Sequence, residues 1–282
     1  MGTLIRSTAI YSEKSPIDSI QCSSKAAEQC IASAGIHTMD IDLLINTGIY
    51  REKNIAEPAM ATIIQKKMGM NLDPVLKFEG NSTFSFDLKN GPAGILYAIQ
   101  VADGMLRTGK IKNALIVSND VHPSTKYVPD FPFTQVGSAV LLEQSSSGNK
   151  GFTEFTFKTS DSTHSGFNGF VDMSKIGHEG RNIMTIKQDE DYVDDLLEFT
   201  VSTVDEFIGR YANNGSAVSH IICNKPSKTF GRDLVKRLGI PEKCLIRTYD
   251  EYGDPHTSAL AIAYHAARHR GLLKQDEKVL FV

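Results

Sequence analysis

The sequence has no long apolar run, no large excess of one charge and few cysteines. No stretch approaches the roughly 20 consecutive apolar residues that a membrane-spanning helix needs. The formal net charge of −3 argues against nucleic acid or an anionic membrane surface as a partner. The 282 residues are 41% hydrophobic and 22% charged, as is usual for globular domains. We therefore expect a soluble, cytoplasmic protein.

The cysteines do not have the paired spacings of a zinc site. They are Cys22, Cys30, Cys223 and Cys244. Cys22 and Cys30 fall on a helical apolar pattern and are expected to be small core residues. A disulfide framework does not fit a cytoplasmic location. We expect neither a metal nor another cofactor.

Strand-like runs alternate with helical segments along the whole chain. The runs rich in β-branched and aliphatic residues cover residues 4–11, 43–47, 82–88, 114–118, 138–142, 151–158, 221–224, 245–248 and 278–282. Such alternation predicts an α/β fold with buried, mostly parallel sheets. The first helix is expected to begin at Ser15-Pro16, with Ser15 as its N-cap, and to end at Gly35.

Two segments of the first half have counterparts in the second half. Residues 110–118 and 273–282 both follow a helix, a glycine and a basic turn, and residues 41–46 parallel residues 218–224. Self-similarity of this kind indicates an internal duplication. It predicts two halves, residues 1–148 and 149–282, packed as a single compact unit.

The segment from Phe86 to Ile95 leads from a strand-like run into an apolar helix through a Gly91-Pro92 elbow. This placement resembles the nucleophile elbow of the β-ketoacyl-ACP synthase III family, which has the thiolase fold. In that family a Phe-Asp-aliphatic strand leads, after three small residues, to a catalytic cysteine. Counted residue by residue, the cysteine position here is Pro92. Proline has no side-chain nucleophile and no backbone N–H.

Further motifs extend the resemblance over nearly the whole chain, in the family's order. Residues 109–120 resemble its turn-strand-Ser/Asp segment, and residues 136–142 resemble its Ala-Gly-Ala-Ala-Val-Leu strand. Residues 224–240 match the segment that begins His-Gln-Ala-Asn, and residues 252–259 resemble the Gly-Asn-Thr-Ser-Ala helix start, with extra residues. The resemblance implies a thiolase-like α/β fold of two duplicated halves in a five-layer α-β-α-β-α arrangement.

The resemblance also implies an active site built from a cysteine, a histidine and an asparagine. The cysteine attacks the thioester, and the other two donate hydrogen bonds to its oxygen. Here the histidine position is Asn224, and the asparagine position is Asp254 or His256, depending on where the extra residues are placed. Asn224 and His256 are therefore the candidate catalytic pair. Asn224 could equally cap a helix, and His256 could be a packing residue.

Other departures from the family concern its ligand and its oxyanion hole. The family's CoA-binding stretch is nearly missing, since Tyr11 is followed almost directly by Ser15-Pro16. The family's final glycine-rich loop, which supplies an oxyanion donor, and its final strand would follow Val282. Cys223 is adjacent to Asn224 but should point the other way along its strand, so a substitute nucleophile is not expected there.

Taken with the resemblance, these departures predict a non-condensing β-ketoacyl-ACP synthase III-like protein of fatty-acid or polyketide-type metabolism. It would bind an acyl-CoA or acyl-ACP thioester, or act as the partner subunit of an active synthase. Family members dimerise through the edge strand before the elbow, here from Ser82 to Leu88, so a homodimer or a heterodimer with a related synthase subunit is expected.

The alternative is an acyltransferase or thioester hydrolase that forms no covalent cysteine intermediate. In that reaction His256 would be the base and Asn224 the oxyanion donor.

Overall fold

The computed structural model describes residues 2–13, 17–72, 82–123, 131–146, 150–160, 166–172, 174, 184–211 and 218–282. The elements, in chain order, are β1 (Thr3–Tyr11), α1 (Ser19–Ala34), β2 (Leu43–Asn46), α2 (Met60–Met68), β3 (Phe84–Asp87), α3 (Gly94–Arg107), β4 (Asn113–Ser118), β5 (Gly137–Gln144), β6 (Phe167–Val171), β7 (Met184–Gln188), α4 (Tyr192–Tyr211), β8 (His220–Ile222), α5 (Phe230–Arg237), α6 (Tyr249–Tyr252), α7 (Ala259–His269) and β9 (Val279–Phe281). Within these ranges, none of the helices combines the length and the hydropathy that crossing a membrane requires.

The first sheet has five strands in the order β1-β5-β4-β2-β3. β3, β2 and β4 run parallel, whereas β5 is antiparallel to both β4 and β1. The parallel strands are connected through helices, α2 between β2 and β3 and α3 between β3 and β4, as parallel pairing requires. β3 lies at the edge of this sheet and pairs with β2 alone among the described strands.

Successive side chains of the first sheet enter two different cores, because neighbouring residues of a strand point to opposite faces. On one face, Leu44, Leu115 and Leu141 pack against α1 and α2. On the other face, Leu43 and Ile116 pack against α3 and α7. The sheet is therefore covered by helices on both sides.

The layer formed by α3 and α7 also packs against a second, smaller sheet, through residues such as Ile222 and Ile246. In that sheet β8 and β9 run parallel, and Leu245 forms a parallel bridge to Ile221 on the other side of β8. The far face of β8 packs against α4 and α5. The five layers are thus α1/α2, first sheet, α3/α7, second sheet and α4/α5, which confirms the predicted α-β-α-β-α arrangement.

The strand pairing agrees with the duplication inferred from the sequence. β2 pairs in parallel with β3 and β4, and β8 pairs in parallel with Leu245 and β9. The predicted division between residues 148 and 149 stays a prediction, since the central core joins residues of both halves.

Two of the predicted strands are wrong. Residues 151–158 form a single bridge, in which the N–H of Phe152 donates to the carbonyl of Thr3 at 2.8 Å. In the first half, the equivalent strand β1 pairs along its length with β5. The run predicted at 245–248 is reduced to the bridge at Leu245, because the chain turns into α6 at Tyr249.

The first helix begins later than predicted. Its N-cap is Asp18, whose carboxylate accepts a hydrogen bond from the N–H of Gln21 at 2.7 Å. The predicted start at Ser15-Pro16 lies outside the described residues. Gly35 ends the helix in the left-handed conformation, with φ 67°, as predicted for a glycine C-cap.

Candidate active site

Pro92 lies in the turn between β3 and α3. Gly91 has φ 53°, a conformation that glycine adopts at low cost, and the N–H of Gly94 donates to the Gly91 carbonyl at 3.0 Å. α3 begins at Gly94, two residues after Pro92. A thiol in this place would be activated by the positive end of the helix dipole. Pro92 has no ionisable group that could use that position.

Asp87, the last residue of β3, has a structural role. Its Oδ2 accepts from the N–H of Met60 at 2.9 Å and its Oδ1 from the N–H of Ala61 at 2.8 Å. These are the first N–H groups of α2, whose own N-cap residue, Ala59, offers no side-chain acceptor. Asp87 therefore caps α2 and holds it against the edge strand.

His256 and Asp120 form a buried pair. His256 is 6% exposed and Asp120 is fully buried, and Nδ1 of His256 lies 3.0 Å from Oδ2 of Asp120. A carboxylate can only accept, so Nδ1 of His256 donates this hydrogen bond and its Nε2 is not engaged by Asp120. Nε2 has no hydrogen-bond partner among the residues that the structure describes. The arrangement is that of a carboxylate orienting a histidine.

Asp120 is held by several donors besides His256. Its Oδ1 accepts from the N–H groups of Ile49 and Tyr50, both at 2.8 Å, and its Oδ2 accepts from the hydroxyl of Thr257 at 2.5 Å. Burial acts to raise the pKa of Asp120, but the hydrogen bond and charge of His256, with those from Thr257 and Tyr50, lower it below its usual value. Asp120 is therefore an ionised carboxylate at neutral pH.

The backbone of His256 is in the left-handed region, with φ 48°. Its N–H donates to Oδ1 of Asp254 at 2.8 Å, which holds this conformation in place. Left-handed conformations in residues other than glycine are uncommon and concentrate at functional sites.

Aromatic rings cover the imidazole of His256. Phe133 stacks on it with ring centroids 4.0 Å apart and an interplanar angle of 17°, and Tyr50 lies with its centroid at 5.6 Å. Burial, with a contribution from Asp120, raises the pKa of Tyr50 to about 12. Phe133 therefore covers one face of the imidazole.

Asn224 follows β8, and its N–H donates to the Val282 carbonyl at 3.0 Å. Its side-chain Oδ1 is buried and accepts no hydrogen bond from any residue that the structure describes. No described hydrogen bond or ring contact joins Asn224 to His256. The two candidate residues lie on different elements, Asn224 after β8 and His256 in the turn before α7.

Cys223 is buried, and its burial raises the pKa of the thiol to about 11. A thiol with such a pKa stays protonated and unreactive at neutral pH. It packs in the outer core with Leu197 and Leu234, away from the α3/α7 layer. The prediction that Cys223 does not replace the missing nucleophile agrees with this environment.

The structure connects Pro92 and His256 through one layer of the fold. α3, which begins just after Pro92, contacts the His256–Ser258 turn, and that turn leads into α7. Three or more His, Cys, Asp or Glu side chains that could hold a metal ion do not come together anywhere in the described ranges. The candidate site thus consists of the proline elbow before α3 and of the Asp120–His256 pair, whose turn contacts α3.

Sequence reasoning missed Asp120, Tyr50 and Phe133 as parts of the site. Asp120 follows β4, and Tyr50 belongs to the loop that follows β2. Because the carboxyl ends of neighbouring parallel strands meet at one sheet edge, where α/β proteins collect their site residues, the position of Asp120 after its strand was the available signal.

Comparison with known proteins gives one consistent family. The model of the 3-oxoacyl-[acyl-carrier-protein (ACP)] synthase III family matches residues 86–161, a segment that includes Pro92 and Asp120. The β-ketoacyl-[acyl-carrier-protein] synthases III of Rickettsia bellii and Rickettsia akari are each 26% identical to this chain over 271 residues, which are 91% of this chain and 77% of theirs.

Solved structures with the same fold include two relatives of interest. Cerulenin-bound OleA of Xanthomonas campestris superposes with a TM-score of 0.78 at 15% identity, over 100% of this chain and 93% of that one. A 3-oxoacyl-(acyl-carrier-protein) synthase III superposes with a TM-score of 0.74 at 14% identity, over 100% of this chain and 95% of that one. At such identities the superpositions establish the thiolase fold, as predicted.

Proposed function

Because the chain is a β-ketoacyl-ACP synthase III-like member of the thiolase superfamily, we propose that it is a non-condensing member that binds acyl thioesters. The observation that carries this proposal is Pro92 in the turn that leads into α3. A covalent acyl intermediate needs a nucleophile at that turn, and proline supplies none. We further propose a cytoplasmic location and a place in fatty-acid or polyketide-type metabolism.

The nature of the ligand is supported by the fold and its relatives. An OleA variant of Xanthomonas campestris was solved with bound lauric acid and lauroyl-CoA, and it superposes on this chain with a TM-score of 0.73 at 15% identity, over 100% of this chain and 95% of that one. Acyl-CoA or acyl-ACP is therefore the ligand class that we assign to this chain. An acyl chain is apolar, and its burial would stabilise the complex by roughly 0.8 kcal/mol per methylene.

A partner subunit is the second part of the proposal. β3 is an edge strand, and its Phe84 side chain is 58% exposed. The ring of Phe84 lies against that of Phe86, with centroids 5.2 Å apart. An apolar edge strand with unpaired backbone groups is an aggregation hazard unless another chain covers it. A second copy, or a related synthase subunit, pairing along residues 82–88 would cover it.

Calorimetric titration with lauroyl-CoA, followed by an assay for released CoA thiol, tests the binding function. We expect saturable binding without release of thiol or formation of a condensation product. Absence of binding would contradict the proposal, and so would condensation with malonyl-ACP.

One observation favours a second candidate function, thioester hydrolysis or acyl transfer without a covalent intermediate. The Asp120 carboxylate orients His256 and leaves its Nε2 as a base. In hydrolysis, Nε2 would take a proton from water while the water oxygen attacks the carbonyl, and the thiolate leaves with that proton. Asn224, the predicted oxyanion donor, has no described contact with His256. Thiol release that His256→Gln abolishes would favour this candidate over the first.

A further inference from the structure

A pocket opens on the far face of the second sheet, away from the α3/α7 layer. It lies between the end of β8, the first turn of α5 and residues 245–250, and its space is ≈ 420 Å³, part of which is open solvent. Pro92, Asp120 and His256 are not among the residues that line it. The pocket is therefore lined by other residues, although Lys225 directly follows Asn224 and interacts with the carboxylate of Asp254, which accepts from the N–H of His256.

Positive charge dominates the lining of this pocket. The cationic residues are Lys225, Lys228, Arg232 and Arg247, and the single acidic residue is Asp250. Asp250 already pairs with two of them, at 2.8 Å from Nζ of Lys228 and 3.5 Å from a guanidinium nitrogen of Arg247. The lining residues themselves thus include four cationic groups and one carboxylate, and Arg247 also pairs with Glu242 outside the lining, at 3.5 Å.

Lys225 is the unusual member of this group, since it is only 7% exposed. Its Nζ donates to the hydroxyl of Thr248, and no carboxylate in the described part of the chain forms an ion pair with it. Burial lowers the pKa of Lys225 to about 8. The carboxylates of Asp254 and Glu251 act against this effect, but neither forms an ion pair with the amine. A buried charge without a direct partner is destabilising, and an anion bound next to Nζ would supply one.

The backbone beside Lys225 offers further donors. Thr229, the N-cap residue of α5, makes no side-chain capping hydrogen bond, so its side chain does not occupy the first N–H groups of this helix. Gly231 lies in the first turn and lines the pocket. A Cβ at this position would come within 3.1 Å of both the Cys223 sulfur and a Leu245 methyl. Helix N-termini with free N–H groups bind anions.

We propose that this pocket is a binding site for a small tetrahedral dianion, such as the phosphate group of a phosphate monoester. Lys225 supplies a desolvated charge from below, and the exposed guanidinium groups of Arg232 and Arg247 supply bidentate donors from the rim. Thr248 and Ser227 add hydroxyl groups. A tetrahedral dianion offers acceptor atoms in several directions, which suits donors on three sides better than a planar monoanion does.

The groups that surround Lys225 determine how binding should depend on pH. They are the thiol of Cys223, the hydroxyl of Thr248, the carboxylates of Glu251 and Asp254, and the guanidinium of Arg270. Near pH 8, the amine of Lys225 is expected to change its charge, and these surrounding groups are not. Binding of an anion with constant charge should therefore weaken as the amine loses its proton.

Sulfate is the probe for the first experiment, because it keeps its charge over the whole range. Calorimetric titration at pH 7, with ionic strength balanced by NaCl, should show one saturable site. Lys225→Met and Arg232→Gln should each weaken sulfate binding at least tenfold. Lys236→Gln, an exposed residue of the same helix outside the pocket, should leave it unchanged. Acetate should bind more weakly than sulfate.

The pH series is the second measurement. Between pH 7 and 9.5 the wild-type affinity for sulfate should fall, and that of Lys225→Met should stay flat. If Lys225→Met does not fold by circular dichroism, Arg232→Gln decides alone, since its side chain is exposed. The proposal is overturned if wild type shows no saturable binding, or if Lys236→Gln weakens binding as much as Arg232→Gln.

Discussion

Asp120 and His256 are 136 positions apart in the chain, yet their side chains meet at 3.0 Å in the interior of the protein. Asp120 stands after β4 and His256 in the turn before α7. The contact links the first sheet to the second half of the fold, and it orients the imidazole of His256. Both the stability of the protein and its chemistry should depend on this pair.

Asp120→Asn should destabilise the protein by about 3 kcal/mol, because it removes a buried charge that His256 and four other donor groups satisfy. Urea unfolding at pH 7 measures the difference. Asp205→Asn, an exposed site on α4, should change stability by less than about 0.5 kcal/mol. Equal effects of the two substitutions would show that the buried pair is not a stabilising element.

The same pair predicts an acid transition. The pKa of Asp120 is lowered in the folded state, so its contribution is complete above the ordinary value of 3.8 and is lost as the pH falls through the lower folded value. Urea midpoints measured from pH 5 down to pH 2.5 should therefore fall more steeply for wild type than for Asp120→Asn. Parallel curves would contradict the lowered pKa.

Asp87→Ala should cost about 1 kcal/mol, since α2 loses its only side-chain acceptor for the N–H groups of Met60 and Ala61. Asp87→Asn should retain part of this stability, because asparagine also accepts at a helix start. Amide exchange in α2 should accelerate in Asp87→Ala, with α1 unaffected. If exchange increases equally throughout the fold, the effect is not that of a helix cap.

Lys225→Met should stabilise the protein in a buffer without multivalent anions. Burial lowers the pKa of this amine from 10.5 to about 8. Below pH 8 the amine is charged in both states, and its charge is less favourable in the folded state than in the unfolded state. At 1.36 kcal/mol per pKa unit, the gain at pH 7 is on the order of 1–3 kcal/mol. The gain should shrink as the pH rises from 8 and vanish above 10.5, where the amine is neutral in both states.

Exposed Lys228→Met is the matched control, with a side chain 62% exposed. Its urea midpoint should shift little at any pH. A destabilised Lys225→Met at pH 7 would show that the ammonium has a counter-charge in the free protein, and it would weaken the anion-site proposal as well.

Phe84→Glu should convert a dimer into a monomer, because it places a charge on the edge strand where the partner strand would pair. Size-exclusion chromatography with light scattering gives the mass of both proteins. Leu272→Glu, at another exposed apolar residue, should leave the mass unchanged. A wild type that is monomeric, and that forms no complex with a related synthase subunit, contradicts the assembly that we propose.

The layers of the fold could be predicted from the sequence because β2, β4 and β5 each contain a short run of consecutive apolar residues, which is typical of strands covered on both faces. The strand predicted at residues 151–158 failed because a strand needs a neighbour, which a local pattern does not reveal. The site could not be predicted for the same reason. The local sequence around Asp120 and His256 does not indicate that the two side chains are in contact. The packing of Tyr50 and Phe133 against His256 depends on loop conformation.

The intact mass of the wild-type chain after incubation with lauroyl-CoA tests most directly the claim that the elbow has no nucleophile. Pro92→Cys provides the positive control, because it places a thiol at the start of α3, and Ala93→Cys tests whether position matters. We predict one added lauroyl group on Pro92→Cys, little or none on Ala93→Cys, and an unchanged mass for wild type. A lauroyl group attached to a side chain of the wild-type protein near Pro92 or His256 would contradict the account.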